Sequence, residues 1–150
     1  MKIEKAAIED HEILSDIAFK GKSYWNYDAQ LLESWRESLS ITKEYILENE
    51  VYKVVDDTKI IGFYSLVRID EATAKLDFLF MYPEFIGQGI GKFLLENCIE
   101  IAKMKNVKRI ILDADPNAEN FYAHFGFVTY GKLESSIKNR FLPQMELLIS

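Results

Sequence analysis

Along this chain the apolar positions recur every three to four residues in some stretches and every second residue in others, and the change of period marks its elements. Ile3 opens a short strand, after which Glu9 and Asp10 put negative charge into the first turn of a helix with Ile13, Leu14, Ile17 and Ala18 as its stripe. Asp28 can cap a second helix striped by Leu31, Leu32, Trp35 and Leu39, and Ser40 or Thr42 can start a shorter one toward Glu48. From Val51 the period becomes two. Val51–Val55, Ile60–Val67 and Ala74–Met81 are separated by the Asp56-Asp57-Thr58-Lys59 turn and a polar turn around Asp70, which predicts an antiparallel meander. A long amphipathic helix follows, with Ile90, Phe93, Leu94, Cys98, Ile101 and Ala102 on one face and Lys92, Glu96, Glu100 and Lys103 on the other. Val107–Leu112 is a continuous apolar run suited to a central strand, reached by the crossover that a parallel pair requires. Asn117 to Phe125 reads as a short helix, with strands expected near Phe127–Tyr130 and Met145–Ile149. No repeat, linker or low-complexity stretch divides the pattern. It predicts one α/β domain over residues 1–150, with a mixed, mostly antiparallel sheet flanked by helices.

A chain of 150 residues is long enough to bury one substantial core. With 49% apolar and 28% charged residues it has the composition of a globular protein, not a disordered one. The net charge of −6 argues against a general nucleic-acid binder, which needs a basic face, and is compatible with a small cationic substrate. The single cysteine, Cys98, cannot form an internal disulfide, and the opening Met-Lys-Ile-Glu-Lys-Ala-Ala lacks the apolar run of a signal peptide. Both features point to a reducing cytoplasm. No stretch approaches membrane-spanning length.

Residues Tyr82 to Lys92 carry the strongest chemical signal: Tyr-Pro-Glu-Phe-Ile-Gly-Gln-Gly-Ile-Gly-Lys, a proline turn and three alternating glycines opening the long helix. Without Cβ atoms at Gly87, Gly89 and Gly91, consecutive amides can converge on a phosphate at the positive end of that helix. A dinucleotide fold is one reading. The spacing, however, is G-x-G-x-G with Lys92 where the third glycine of G-x-G-x-x-G belongs, and the loop follows a meander instead of opening a βαβ unit. No Gly-Lys-Ser/Thr follows, so a P-loop fits less well still. A mere connector needs fewer glycines than three, each with its conformational cost.

The stretch Ile86-Gly87-Gln88-Gly89-Ile90-Gly91 resembles the R/Q-x-x-G-x-G/A signature of the GNAT N-acetyltransferase superfamily. Asp115-Pro116-Asn117-Ala118-Glu119-Asn120-Phe121-Tyr122-Ala123-His124-Phe125-Gly126-Phe127 resembles that family's N-x-x-A-x-x-x-Y-x-x-x-G-F block, in the expected order and separation. The resemblance covers nearly the whole chain. Ile86 stands where the family usually has Arg or Gln, and Asp115 where it has Asn; a branch of small bacterial members shares both, together with a late Arg-x-Leu-Pro like Arg140-Phe141-Leu142-Pro143.

What the resemblance implies is acetyl transfer from acetyl-CoA to a primary amine by direct attack, with no metal. The pyrophosphate would rest on Gly87, Gln88, Gly89, Ile90, Gly91 and Lys92, pantetheine along Leu79, Phe80 and Met81, and Asn117 would be the polar partner after the fifth strand. Tyr122 would serve the leaving thiolate, and Asp77 would take the acceptor's proton, since an alkylammonium must lose one before attacking. Asp113 and Glu71 are poorer candidates for that base. His11 and His124 lie on predicted helices without partners in the motif and read as surface residues, while Cys98 faces a core stripe and reads as packing. Tyr24, Trp25, Tyr27 and Trp35 fall where the family builds its acceptor wall, where aromatic faces can hold an ammonium, and core packing explains them equally. Arg140 can meet an acceptor carboxylate or stand as an exposed hairpin charge. The acceptor, a small-molecule or protein amine, is not written in the sequence, and a homodimer is the common default for a small enzyme. The alternative function is a CoA-binding regulatory or sensor module of the same fold with little transfer.

Overall fold

The computed structural model describes residues 1–137 and 139–149; Lys138 and Ser150, both inside the expected domain span, lie outside the described residues. The chain runs β1 (Lys2–Lys5), α1 (His11–Ser23), α2 (Ala29–Ser34), α3 (Lys43–Glu48), β2 (Glu50–Asp56), β3 (Lys59–Arg68), β4 (Thr73–Met81), α4 (Ile90–Met104), β5 (Arg109–Asp113), α5 (Glu119–His124), β6 (Val128–Glu134) and β7 (Phe141–Leu148). Single 3-10 turns lead into α1, α4 and α5. Side chains start two of the short helices: the Asp28 carboxylate accepts the Gln30 amide at 3.1 Å, and the Thr42 hydroxyl accepts the Tyr45 amide at 3.0 Å.

The strands form one sheet in the order β1-β2-β3-β4-β5-β7-β6. Among the described residues only β4 and β5 pair in parallel, so the sheet is mixed and mostly antiparallel as the periodicity predicts. Each face carries its own core. On one face Tyr64, Leu66, Ala74, Leu76 and Ile110 meet Ile90, Leu94, Leu95 and Cys98 of α4. On the other Val51 and Phe63 meet Leu14, Ile17 and Ala18 of α1 and Ile46 of α3.

Three expectations need correction. Phe93 is 38% exposed, and Leu95 takes its place in the buried stripe of α4; the buried set at 90, 91, 94, 95, 98 and 102 is a face turned away from Phe93. Ile13 is likewise exposed on α1, where Gly21 completes the buried face. A Cβ at Gly21 would lie 2.8 Å from the Phe80 side chain and 3.0 Å from the Met81 carbonyl, so its absence lets α1 lie close against β4. Finally, α2 stops at Ser34, and β6 and β7 are longer than expected, with Pro143 inside β7. A proline normally demotes a strand, but the carbonyl of Pro143 accepts the Ala114 amide at 2.8 Å and ties the strand to the end of β5.

Candidate functional site

The glycines after β4 serve two different purposes. Gly87 and Gly89 have φ of +87° and +83°, the left-handed region, and a Cβ at either would meet nothing within 4 Å. Backbone conformation and open space, not packing, therefore explain them. Gly91 is different: its Cβ would lie 3.2 Å from Phe121 and 3.3 Å from the Met81 methyl, so it lets α4 approach α5 and β4. Within the turn the amides of Ile86 and Gln88 donate to Pro83 and Phe85 carbonyls, and Phe93 donates to Gly89 at 3.0 Å. Those of Gly87, Gly89, Ile90, Gly91 and Lys92 donate to no acceptor among the described residues. Five free donors thus crown the N-terminus of a 15-residue helix, where its dipole adds positive potential. The Gln88 side chain turns back to the Glu84 carbonyl at 3.1 Å.

Beside this turn the sheet comes apart. β5 pairs with β4 only at Thr73 to Lys75, opposite Arg109 to Ile111, while its own pairing with β7 continues to Asp113. From Leu76 to Met81 the β5-facing edge of β4 is open. The register between β3 and β4 skips one residue, so that Ser65 faces Phe78, Leu66 faces Leu76, and Asp77 is a bulge. The bulge reverses the alternation: Ala74 and Leu76 share a face with Leu79 and Met81, while Phe78 and Phe80 point to the other side. A bulge also bends its strand, which is the physical origin we assign to the splay. The resulting cleft, about 630 Å³, is lined by Leu76 to Met81, Leu112 to Asp115, the glycine turn and Tyr122.

Asp77 faces the cleft and accepts a hydrogen bond from the Tyr45 hydroxyl at 2.6 Å. The Ser65 hydroxyl, fully buried, lies 2.7 Å from the same phenol oxygen. With the Tyr45 proton directed to Asp77, Ser65 must donate to Tyr45, giving a Ser65–Tyr45–Asp77 chain. Burial, and next the bond to Asp77, push the Tyr45 phenol well above its ordinary value and keep it a donor. Tyr45 and Ser65 carry no sequence signal, because they meet Asp77 only through the fold.

Tyr122 also lines the cleft, held edge-on by Phe121 and Phe127 with ring centroids at 5.1 and 5.7 Å. Burial first, with negative charge nearby, raises its phenol, and its hydroxyl meets no hydrogen-bond partner among the described residues. It is a protonated donor with a free hydrogen. Cys98 is buried, and burial raises its thiol far from thiolate formation. His124 is exposed, and Asp113 pairs with Lys75 at 3.1 Å.

Asp115 is the centre of an ion cluster that the sequence did not indicate. Its carboxylate takes hydrogen bonds from Lys22 at 2.7 Å, Tyr27 at 2.7 Å, the Asn117 amide and side chain, each at 2.9 Å, and Arg140 at 3.3 Å. Arg140 also donates to the Tyr27 hydroxyl. Arg140 is therefore not an exposed hairpin charge, and the Asn117 side-chain amide is already engaged at the cleft wall. Tyr27 packs edge-on against Trp35 at 5.0 Å, while Tyr24 and Trp25 form an exposed pair of which only Trp25 lines the cleft.

Burial alone would raise the Asp115 carboxyl, but the bonds from Lys22, Tyr27 and the Asn117 amide outweigh it and hold it below the usual carboxylate range. A group depressed in the folded state stabilises above its unfolded value, about 3.9, and loses that contribution as pH falls through the folded one. Asp115→Asn is expected to lose about 3 kcal/mol at neutral pH, leaving Lys22 and Arg140 without their counter-charge. Urea unfolding at pH 7 and below pH 4 checks this: the gap between variant and wild type should narrow in acid.

The described residues include no helix long and apolar enough to cross a membrane and no group of three His, Cys, Asp or Glu able to hold a metal. A splayed mixed sheet, a bulged fourth strand and a glycine turn at a helix N-terminus are the architecture of an acetyltransferase of the GNAT type, and this chain belongs to that family: the acetyltransferase (GNAT) domain profile matches residues 14–147. It is 30% identical over 91 residues to the uncharacterized N-acetyltransferase ycf52 of Gracilaria tenuistipitata var. liui, covering 61% of this chain and 50% of that protein. The chain thus spans about half the length of that relative. The peptidyl-lysine N-acetyltransferase YjaB of Salmonella typhimurium is 26% identical, with 79% of this chain and 89% of that protein covered. Among solved structures, the PaiA N-acetyltransferase of Thermoplasma acidophilum, in complex with coenzyme A, superposes with a TM-score of 0.81 at 27% identity over 99% of this chain and 98% of that one.

Proposed function

We propose that this chain is a single acetyltransferase domain that moves an acetyl group from acetyl-CoA directly to a primary amine. The observation that carries this reading is the set of five amides at Gly87, Gly89, Ile90, Gly91 and Lys92, unpaired among the described residues and opening beside the free edge of β4. The turn fits a pyrophosphate: it offers donors, a helix dipole and no side chain at Gly87 or Gly89 to hold a ligand away. The open backbone of Leu79, Phe80 and Met81 can pair with an amide-bearing chain such as pantetheine, and one free N–H there can polarise the acetyl carbonyl. Asn117, at the far wall, offers its side-chain oxygen to the same ligand.

Acetyl-CoA supplies the activated thioester; the chain's residues manage protons. The acceptor nitrogen forms the new C–N bond as the C–S bond breaks, its surplus proton passing to Asp77 or to water at Asp77. Tyr122 faces the departing sulfur. A thiol near pKa 8.5 is a stronger acid than a phenol above 10, so complete proton transfer from Tyr122 is uphill and its part is a strong hydrogen bond to the thiolate. Crystals grown with acetyl-CoA test the reading: diphosphate density on the Gly87–Lys92 amides supports it, and density elsewhere contradicts it.

Tyr45 is a positioning residue in this scheme, holding the Asp77 carboxylate toward the cleft. Tyr45→Phe is expected to lower kcat about fivefold to tenfold, the worth of one hydrogen bond to a charged group, with little change in KM for acetyl-CoA. In an Asp77→Asn background the same change should have almost no further effect on kcat; additive losses would show that Tyr45 acts independently of Asp77.

A further inference from the structure

A second pocket of about 270 Å³ opens on the other side of the Asp115 cluster, between Trp35 and the turn joining β6 to β7. It shares Lys22, Ser38 and Leu39 with the larger cleft, so the two spaces meet at the cluster. None of the glycine-turn residues lines it.

Its two cations are paired with one carboxylate between them. Lys22 and Arg140 are only 17% exposed, and they share one carboxylate, Asp115, itself 11% exposed. Tyr27 does not make up the difference, because burial and the adjacent Asp115 raise its phenol and keep it neutral. Glu134 lines the pocket but makes no ion pair with either cation among the described residues. Within contact distance, among the described residues, the two cations thus share a single carboxylate. Arg140 directs Nη2 at Asp115 and Tyr27, while its Nε and Nη1 hydrogens meet no acceptor among the described residues. The ammonium of Lys22 is fixed over the Tyr27 and Trp35 rings, with centroids at 5.3 and 5.1 Å. A largely buried guanidinium with one edge unused among the described residues, at the wall of a pocket, is a fork for a planar anion. The chain's net charge of −6 opposes an anion at long range, but over distances shorter than the roughly 10 Å screening length the local pair dominates.

We propose that the acceptor is a primary amine that also carries a carboxylate, which seats against Arg140 and Lys22 in this second pocket while the amine points back into the cleft toward Asp77. This rests on the transferase reading above and names the substrate class of that site. It disfavours acceptors with several ammonium groups and no anion, since a second cation would face Arg140 and Lys22.

The test is acetyl-CoA-dependent thiol release with three matched sets: free amino acids, the amines left by their decarboxylation, and their C-terminal amides. A lysine peptide with both ends capped is a fourth arm. At least one free amino acid should exceed its decarboxylated and amidated counterparts in kcat/KM by about tenfold or more, the worth of a charge-assisted fork. Arg140→Gln should bring that ratio toward one, with KM for acetyl-CoA nearly unchanged, and Arg140→Lys should restore part of it. If Arg140→Gln does not fold, inhibition of the wild type by N-acetyl amino acids, and not by neutral N-acetylalkylamines, reads the same pocket. Equal or faster turnover of a decarboxylated amine or of the capped peptide overturns this inference alone, as does a ratio that survives Arg140→Gln. Acetyl-CoA binding without thiol release for any amine overturns the transferase reading and this inference with it.

Discussion

Gly89→Asp is expected to reduce acetyl-CoA affinity by about 10² to 10³-fold, the penalty of setting a carboxylate among donors meant for a phosphate. Gly89 sits at φ +83° as the N-cap of α4, so an aspartate is also strained there, although a Cβ meets no neighbour. Two controls separate binding from folding. Ile86→Ala should change affinity less than about threefold, because backbone amides and not this side chain hold the ligand. Gly91→Ala places a Cβ 3.2 Å from Phe121 and should lower thermal stability more than affinity. Calorimetric titration with acetyl-CoA, beside unfolding curves for each variant, measures both. Affinity surviving in Gly89→Asp would mean that the phosphates lie somewhere else.

Tyr122→Phe is expected to lower kcat about 10²-fold while acetyl-CoA affinity stays within about twofold, the pattern of a donor that strengthens as charge develops on sulfur. The ring packing against Phe121 and Phe127 is unchanged by loss of the hydroxyl, so stability should hold. Because the phenol is raised by burial, it supplies no acid limb or alkaline limb to the rate below its ordinary value near 10. Turnover equal to wild type in Tyr122→Phe would remove the hydroxyl from the reaction and leave Tyr122 as a packing residue.

The parts of this molecule that were legible in the sequence are those written in consecutive residues. The meander, the crossover helix and the glycine turn each occupy one unbroken stretch, and their order along the chain already implies the sheet. The bulge at Asp77 was not legible, because Phe78 to Met81 is apolar throughout and an alternation whose two faces are both apolar hides a change of phase. Nor was the Ser65–Tyr45–Asp77 chain, whose members lie 20 and 32 residues apart in pairs. Asp115 stood out only as a departure from the family pattern. Its partners Lys22 and Tyr27 are 93 and 88 residues away, so its place as a shared counter-charge emerges only when α1, the end of β5 and β7 are brought together.

The central claim is that the cleft transfers acetyl groups rather than only holding coenzyme A, and coupled stoichiometry tests it most directly. Purified protein, acetyl-CoA and the amine panel are followed together by thiol release and by mass spectrometry of the amine. The predicted result is one free thiol for each acetylated amine, with both signals lost in Gly89→Asp. Saturable acetyl-CoA binding with no acetylated amine, and no thiol beyond background hydrolysis, would contradict it.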